Sequence, residues 1–154
     1  MGLNASEIMT REVYCVSAEM LASQAWTFMH RARIRHLPVT FEHRLIGVLS
    51  DRDLLPLMHR EANGTLTLRH DCRVDEVMTR APTTCEPRVQ VSRLAEIMIT
   101  KKIDSVPIVS GDELVGLVTS TDLLELLMKP EEPVAKILPF DFSLRHITGA
   151  GAAA

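Results

Sequence analysis

This 154-residue sequence predicts an α/β (α+β) fold made of two β-α-β-β-α repeats. A constant offset of 69 positions aligns Met9-Thr10-Arg11 with Met78-Thr79-Arg80, and Asp53-Leu54-Leu55 with Asp122-Leu123-Leu124. Helical and strand-like apolar spacing also follow one another in the same order in both halves. Finally, 46% hydrophobic and 24% charged residues are typical of a globular protein rather than a disordered or fibrous one.

The offset holds without a gap between its first and last matches. Pro38 falls on Pro107, Gly47 falls on Gly116, and conservative apolar pairs occupy the positions between them. Agreement at turn and core positions in one register indicates an internal repeat. We therefore predict repeat 1 at residues 6–60, a linker at 61–76, repeat 2 at 77–129 and a C-terminal tail at 130–154.

Each repeat begins with a short extended segment that leads into a helix. The segments are residues 14–16 in repeat 1 and residues 83–85 in repeat 2. Apolar residues at helical spacing follow, and we place the helix start at the N-cap Ser17 in repeat 1 and at Pro87 in repeat 2. The same two elements thus open both repeats.

A hairpin and a second helix complete each repeat. Two apolar strands separated by a polar break of three or four residues are typical of a β-hairpin. A second helix is expected to begin near Arg52 in repeat 1 and near Thr121 in repeat 2. In repeat 1 it is expected to carry Leu54, Leu55, Leu57 and Met58.

The linker and the tail carry weaker signals. Residues 61–64 read as a turn, and the alternation at residues 65–68 predicts a short strand. Residues 131–142 contain two prolines and read as an irregular docked tail, whose apolar stretch at 137–140 is suited to cover a groove. Residues 149–154 form a terminus of small residues, which we expect to be mobile.

A repeat of about 50 residues cannot close a large core alone. Both helices and both hairpin strands of each repeat carry apolar faces. Pairing the two copies through their sheets would bury those faces and relate the copies by a pseudo-two-fold axis. We expect this arrangement to form two equivalent clefts between the repeats.

Charge and cysteine content exclude several classes of partner. With 17 basic and 20 acidic side chains the net charge is −3, so no overall positive field attracts nucleic acid or an anionic membrane. No apolar run approaches the roughly 20 residues that span a bilayer. Cys15, Cys72 and Cys85 are odd in number and widely spaced, which predicts free thiols and a cytoplasmic location.

Motifs for metal binding and catalysis are missing from the sequence. It has no C-x-x-C pair and no H-E-x-x-H, so no metal site is predicted. It also lacks the phosphate-binding G-x-x-x-x-G-K, the dinucleotide-binding G-x-G-x-x-G and the nucleophile motif G-x-S-x-G. We therefore expect no catalytic residues.

A hydroxyl and a carboxylate recur where the last strand of each repeat meets its second helix. Ser50 and Asp53 occupy these positions in repeat 1, and Thr119 and Asp122 occupy them in repeat 2. The hydroxyl, the helical N–H groups and Arg52 can donate to a phosphate, while a carboxylate can accept both hydroxyls of a ribose. Ordinary helix capping is the alternative, and the two roles can coexist.

These motifs resemble a tandem pair of CBS domains, also called a Bateman module. The resemblance rests on the Met-Thr pair, the apolar-Pro-Val/Ile strand and the apolar-Gly-apolar-apolar-Ser/Thr-x-x-Asp-Leu-Leu segment, and it covers about residues 6–129. It implies regulatory binding of AMP, ADP, ATP or sometimes S-adenosylmethionine in clefts between the repeats. It also implies a homodimer that acts as a sensor and needs no cofactor.

The resemblance assigns Asp53 and Asp122 to the ribose, and Ser50 and Thr119 to the phosphate. Adenine needs an apolar slot, for which the early extended segments and the starts of the hairpins are the candidates. The predicted ligand-binding residues are Ser50, Arg52, Asp53, Thr119, Thr121, Asp122, Cys15, Val16, His36, Thr84, Cys85 and Ser105. For Cys15 and Cys85, a role as small buried apolar residues is the alternative.

The two repeats differ in charge at matching positions. The pairs are Arg35 and Asp104, His36 and Ser105, and Arg52 and Thr121. Because phosphate binding depends on positive charge, we expect the Asp53 site to favour the more phosphorylated nucleotide. The Asp122 site would then take AMP or a bare nucleoside, or stay empty, unless basic groups reach it from the other repeat.

The function expected from the sequence is regulatory sensing of adenosine nucleotides. Ligand would shift the population of two module shapes, and an unidentified effector protein would read the shape. The alternative is a structural or protein-interaction module whose sites bind no ligand. A hidden enzyme is not expected, since the two repeats and the linker use nearly all of the chain.

Overall fold

The computed structural model describes residues 2–128 and 143–147. The predictions for residues 131–142, for their apolar stretch and for residues 149–154 lie outside the described residues. The chain forms two compact units, one from Met1–Val13 and Thr83–Leu144 (unit 1) and one from Tyr14–Pro82 and Arg145–Ala154 (unit 2). Each unit combines helices with strands, so the predicted mixed α/β class is confirmed.

Unit 2 contains the body of repeat 1. The strands and helices follow the predicted β-α-β-β-α order and continue into the linker. They are β1 (Glu12–Val16, which begins just before the unit boundary), α2 (Ala22–Ala32), β2 (His36–Phe41), β3 (Arg44–Ser50), α3 (Asp51–Leu54), a 3-10 helix (Leu55–Leu57), β4 (Met58–Arg60), β5 (Leu66–Leu68), α4 (Val74–Val77) and β6 (Thr79–Arg80).

Unit 1 contains the body of repeat 2, preceded by the start of the chain. Its elements are α1 (Ala5–Ile8), α5 (Val91–Lys101), β7 (Ser105–Ser110), β8 (Glu113–Thr119) and α6 (Ser120–Met128). The predicted strand at residues 83–85 is reduced to one parallel bridge between Cys85 and Ile108. The last strand among the described residues is β9 (Ser143–Ile147).

The predicted starts of the first helices were wrong by about four residues. The N-caps are Leu21 and Gln90 rather than residues near Ser17 and Pro87. In both repeats a tight turn comes first, closed by Met20 N–H donating to the Ser17 carbonyl at 3.2 Å in repeat 1. This turn buries Met20 in the core of unit 2, which explains the displacement of the helix.

The second helix of repeat 1 is shorter than predicted. It ends at Leu54, residues 55–57 form the 3-10 turn, and Met58 lies in β4 instead of a helix. Pro56 is the physical reason, because proline lacks an N–H and its ring clashes with the preceding turn. Repeat 2 has Glu125 at that position, and α6 continues to Met128.

Other predictions about the hairpins and the linker are confirmed. Strands β2 and β3 pair in antiparallel register from His36 opposite Ser50 to Phe41 opposite Arg44. The predicted linker strand exists as β5 and pairs with β4. Because a strand alternates its side chains between two faces, this register sorts the residues of the site by face.

The sheet of unit 2 has one face toward its helices and one face away from them. Val16, Leu37, Val39 and Leu49 join the core formed with α2, and we call their side the core face. Alternation places Cys15, His36, Thr40 and Ser50 on the opposite side, which we call the second face. Unit 1 has the same arrangement, with Val106, Ile108 and Val118 in its core.

The short segment that begins each repeat packs against the hairpin of the other repeat. Met9 and Thr10 lie against Gly116 of β8, and Thr10 exchanges backbone hydrogen bonds with Leu117 at 2.9 and 3.0 Å. In the same way Met78 and Thr79 lie against Gly47 of β3, and β6 pairs with β3. The compact units therefore do not coincide with the sequence copies, whose predicted bounds stay a prediction.

We expect Gly47→Ala to destabilise the protein by about 1–3 kcal/mol, the usual cost of overpacking. The added Cβ would lie 2.5 Å from Met78 Sδ and 3.0 Å from the Thr79 carbonyl oxygen. Met78 is buried in the core and cannot swing into solvent. Gly116→Ala is expected to act in the same way through Met9. Urea unfolding followed by circular dichroism measures the change.

Gly2→Ala is the matched control, because nothing lies within 4 Å of the Cβ it would add. A double-mutant cycle of Gly47→Ala with Met78→Ala should show a coupling energy, since the clash needs both side chains. A Gly47→Ala protein as stable as the unmodified chain would contradict the close contact between the methionine and the glycine.

Candidate functional site

Each unit holds its candidate site where its hairpin ends. Ser50, the last residue of β3, pairs with His36, the first residue of β2. Thr119, the last residue of β8, pairs with Ser105 of β7 in the same way. The junction is closed by matching hydrogen bonds, from Asp51 N–H to the Arg35 carbonyl at 3.0 Å in unit 2. In unit 1, Ser120 N–H donates to the Asp104 carbonyl at 2.9 Å.

The hydroxyl and the carboxylate of each site contact each other directly. In unit 2, Ser50 donates to Asp53 Oδ2 from its backbone N–H at 2.7 Å and from its hydroxyl at 2.8 Å. In unit 1, Thr119 donates to Asp122 Oδ2 at 2.6 and 2.7 Å through the same two groups. Helix capping, the alternative raised by the sequence, therefore occurs in both units.

The cap leaves half of each carboxylate for other contacts. Only Oδ2 of Asp53 and of Asp122 accepts these hydrogen bonds, and Oδ1 accepts none from the residues that the structure describes. Both aspartates are half-buried, as are Ser50 and Thr119. One oxygen can thus hold the local backbone while the other accepts from a ligand, so the geometry allows both roles.

The structure brings some of the predicted residues together at this junction. His36 and Ser50 share the second face at the end of the unit 2 hairpin, and Arg52 is exposed on the first turn of α3. In unit 1, Ser105 shares the second face with Thr119, and Thr121 is exposed at the start of α6. Together with the capping aspartate, Asp53 or Asp122, each unit therefore has four of the predicted residues around one strand end.

The predicted adenine residues lie farther along the sheets. Val16 pairs with Val39, which in turn pairs with Gly47, three residues before Ser50 and thus about 10 Å along the strand. The Val16 side chain is fully buried on the core face, so it can offer a ligand only main-chain atoms. The structure does not bring Cys15 and Val16 beside the unit 2 strand end.

The matching residues of unit 1 follow the same pattern. Cys85 bridges to Ile108 and packs against the core of its unit, and Thr84 is exposed. Ile108 pairs with Gly116, again three residues before the last residue of the strand. Thr84 and Cys85 are therefore separated from Thr119 by about 10 Å of strand.

The cysteines at these positions have the environment of small apolar residues. Burial raises the pKa of the Cys15 thiol, which donates a long hydrogen bond of 3.9 Å to the Arg145 carbonyl. Burial also raises the pKa of Cys85, although Arg93 and Lys101 oppose that effect. Both thiols are free. Because the thiolate is the reactive form, a raised pKa disfavours a redox or nucleophilic role.

Sequence reasoning missed Thr40 on the second face of unit 2. Thr40 is only 3% exposed, and its hydroxyl has no nitrogen or oxygen partner among the described residues. Repeat 2 has Val109 at the matching position. A threonine in a strand reads as an ordinary β-branched residue, so the only available signal was the loss of the match between the repeats.

The described part of the chain shows neither a metal centre nor a membrane span. Within residues 2–128 and 143–147, His, Cys, Asp and Glu side chains form no group of three or more that is placed to hold a metal ion. None of the helices described there combines the length and the apolar character needed to cross a bilayer.

Comparison with known proteins identifies relatives along the whole two-repeat region. The family model of the CBS domain matches residues 5–60 and 74–129. The inosine-5'-monophosphate dehydrogenase of Korarchaeum cryptofilum is 32% identical over 120 residues, which cover 77% of this chain and 23% of that protein. The match also covers 22% of the corresponding dehydrogenase of Thermoplasma acidophilum and 45% of protein MJ1225 of Methanocaldococcus jannaschii, so the chain spans less than half of each of these three relatives.

Two solved structures show the same fold. The CBS domain pair of protein MJ0100, in complex with 5'-methylthioadenosine and S-adenosyl-L-methionine, has a TM-score of 0.69 at 23% identity and covers 83% of this chain and 98% of that chain. CBSX2 in complex with AMP has a TM-score of 0.72 at 19% identity, with 82% and 97% covered. The resemblance seen in the sequence motifs is thereby confirmed. This chain belongs to the CBS domain family and carries the domain twice, at residues 5–60 and 74–129.

Proposed function

We propose that this chain is a regulatory module that binds adenosine-type ligands at the strand end of each unit. The observation that carries this proposal is the repetition of one constellation in two units. A hydroxyl residue ends a strand, an aspartate three residues later accepts from it through Oδ2, and Oδ1 remains available. Capping alone would need neither the same residue types nor the same register twice.

The chemistry of the site matches the common part of adenosine ligands. A ribose presents two adjacent hydroxyl donors, and a carboxylate oxygen with two lone pairs can accept both. A hydrogen bond to a charged group is stronger than one between neutral groups, so the half-buried aspartates are suited to the diol. Ser50 and Thr119 lie beside the carboxylates, where their hydroxyls can contact the 5' side of the ribose.

Relatives of known structure support the ligand class. MJ0100 was solved with 5'-methylthioadenosine and S-adenosyl-L-methionine, and CBSX2 was solved with AMP. These three ligands share adenine and ribose and differ only beyond the 5' carbon. A ligand class defined by its ribose fits a site whose repeated element is an aspartate.

We infer that the module signals rather than catalyses. A ligand that binds one module shape more tightly than another shifts the population of shapes, and an effector protein would read the shift. The proposal includes a homodimer in the cytoplasm. The dehydrogenase relative matches this chain over 23% of its length only, so its activity is not carried over.

We expect AMP, ADP, ATP or S-adenosylmethionine to raise the melting temperature, because a ligand that binds only the native state stabilises it. At a ligand concentration of about 100 times Kd the stabilisation is about 2.7 kcal/mol. Differential scanning fluorimetry measures the shift, with 2'-deoxy-ATP as the control, because it lacks one of the two hydroxyls that the carboxylate would accept. If no adenosine ligand changes the melting temperature of the protein, the alternative of a module that binds no ligand is favoured.

Asp53→Asn and Asp122→Asn should each remove ligand binding at one unit while preserving most of the stability. An asparagine oxygen can still accept from Ser50 or Thr119, but its amide nitrogen replaces the oxygen that would accept from the ribose. Asp→Ala at the same positions should lose the cap as well, at about 0.5–2 kcal/mol. Isothermal titration calorimetry and urea unfolding separate these two effects.

The controls for this experiment remove a negative charge without touching the cap. Glu42→Gln lies in the turn of the unit 2 hairpin, at the end opposite the site, and Glu125→Gln lies on the exposed side of α6. Both should bind adenosine ligands as the unmodified chain does. If Asp53→Asn and Asp122→Asn bind with full stoichiometry and unchanged affinity, the aspartates serve only as caps and the proposed ribose contact is wrong.

A further inference from the structure

We propose that the two units select different adenosine ligands according to charge. Unit 2 takes the phosphorylated, anionic form, and unit 1 takes an uncharged or cationic form such as a thioether or sulfonium derivative. This inference rests on the proposed function, since it concerns the same two strand-end sites. It adds a selectivity that the family relationship does not supply, because that selectivity arises from residues that differ between the two repeats.

The two sites can be compared residue by residue because their backbones are in the same register. His36 pairs with Ser50 as Ser105 pairs with Thr119. The carbonyl preceding each of these pairs, in Arg35 or Asp104, accepts from the first helical N–H at 3.0 or 2.9 Å. Residues 69 positions apart therefore occupy equivalent positions on equivalent backbones.

Unit 2 balances its two carboxylates with basic residues. Arg35 and Arg52 are both exposed at the strand end, where Asp51 and Asp53 are the nearby acids in sequence. The formal charges of these four residues cancel, and His36 begins the strand that follows Arg35. An entering phosphate thus meets guanidinium groups, which bind phosphate oxygens by charged, forked hydrogen bonds.

Unit 1 has no basic residue at any of the three matching positions. Asp104, Ser105 and Thr121 replace Arg35, His36 and Arg52, so Asp104 and Asp122 give this strand end a formal charge of −2. The next basic residue back along the chain, Lys102, matches Arg33 of unit 2 and does not change the difference. His36, Arg52 and Asp104 also make other contacts within the protein, so the difference lies in net charge rather than in unpaired groups.

Helix dipoles do not reverse the expected order, in which unit 2 attracts an anionic ligand more strongly than unit 1. Helix α3 has only four residues, so it supplies unit 2 with little positive field, and Arg35 and Arg52 must supply the positive charge. Helix α6 has nine residues and offers about half a positive charge at its start, which would favour an anion in unit 1. Two full carboxylate charges at the same junction outweigh it.

The ligands found in related structures span the two classes. AMP carries a phosphate, 5'-methylthioadenosine is uncharged beyond its ribose, and S-adenosyl-L-methionine carries a sulfonium cation. The charge of each unit selects among these differences at the 5' end. We therefore assign ATP and AMP to the Asp53 site, and the thioether and sulfonium ligands to the Asp122 site.

Single-site variants test the assignment by isothermal titration calorimetry with ATP and with 5'-methylthioadenosine. In Asp122→Asn only the unit 2 site stays intact. This variant should bind ATP at least about tenfold more tightly than the thioether, a difference that two charged hydrogen bonds can supply. Asp53→Asn leaves the unit 1 site and should show the reverse preference. ATP affinity of Asp122→Asn should also fall as salt rises, because the arginines are exposed.

Exchange variants test whether the basic residues cause the difference. Arg52→Thr in the Asp122→Asn background should lower ATP affinity about tenfold and leave thioether affinity unchanged. Asp104→Arg with Thr121→Arg in the Asp53→Asn background should raise ATP affinity by a similar factor. Arg69→Thr replaces an exposed arginine of unit 2 whose backbone N–H donates to the Leu57 carbonyl, and this control should change neither affinity. Circular dichroism verifies that each variant is folded.

The outcomes separate this inference from the proposed function. If neither ATP nor the thioether binds the unmodified chain, the proposed function is wrong and the selectivity falls with it. If both ligands bind, but Asp53→Asn and Asp122→Asn show the same preference, the proposed function stands and the selectivity is overturned. The same holds if Arg52→Thr lowers ATP and thioether affinity equally, because a loss common to both ligands is not a charge effect.

Discussion

The contact between a methionine and a glycine in each unit is the constraint on which the rest of the structure depends. Met78 lies on Gly47 and Met9 lies on Gly116, and in both places a Cβ on the glycine would overlap the methionine side chain. The missing Cβ lets the segment that opens one repeat reach the hairpin of the other and pair with its strand. Short helices α1 and α4 are thereby attached to a core that they could not form alone.

This constraint fixes the strand on which each candidate site is built. Glycines 47 and 116 lie three residues before Ser50 and Thr119, so each methionine packs against the strand that ends at the site. In unit 2, β3 pairs with β6 and with β2. In unit 1, β8 pairs with Thr10 and with β7. The last residue of each of these strands therefore has a defined position. The position of the capping aspartate depends on that residue, which explains why the cap distances are 2.7 and 2.8 Å in unit 2 and 2.6 and 2.7 Å in unit 1.

The sequence predicted what is local and repeated. A constant offset is sufficient to predict that each repeat contains a hairpin followed by a hydroxyl and an aspartate, because equal residues in equal order form equal elements. It missed the turns that precede Leu21 and Gln90, since a turn that buries Met20 resembles the start of an amphipathic helix. It could not show which hairpin receives Met9 or Met78, because a repeat makes the two glycines equivalent and only three-dimensional packing distinguishes them.

The shared frame and the differing side chains have separate physical origins, and this separation is what allows one fold to hold two kinds of site. Backbone pairing and capping depend on Ser50 with Asp53 and on Thr119 with Asp122, which the repeats keep alike. Arg52 and Thr121 are exposed, and exchanging exposed residues usually changes stability by less than about 0.5 kcal/mol, so they can differ at small cost to the fold. Ligand charge is therefore the property that such a chain can vary most freely between its halves.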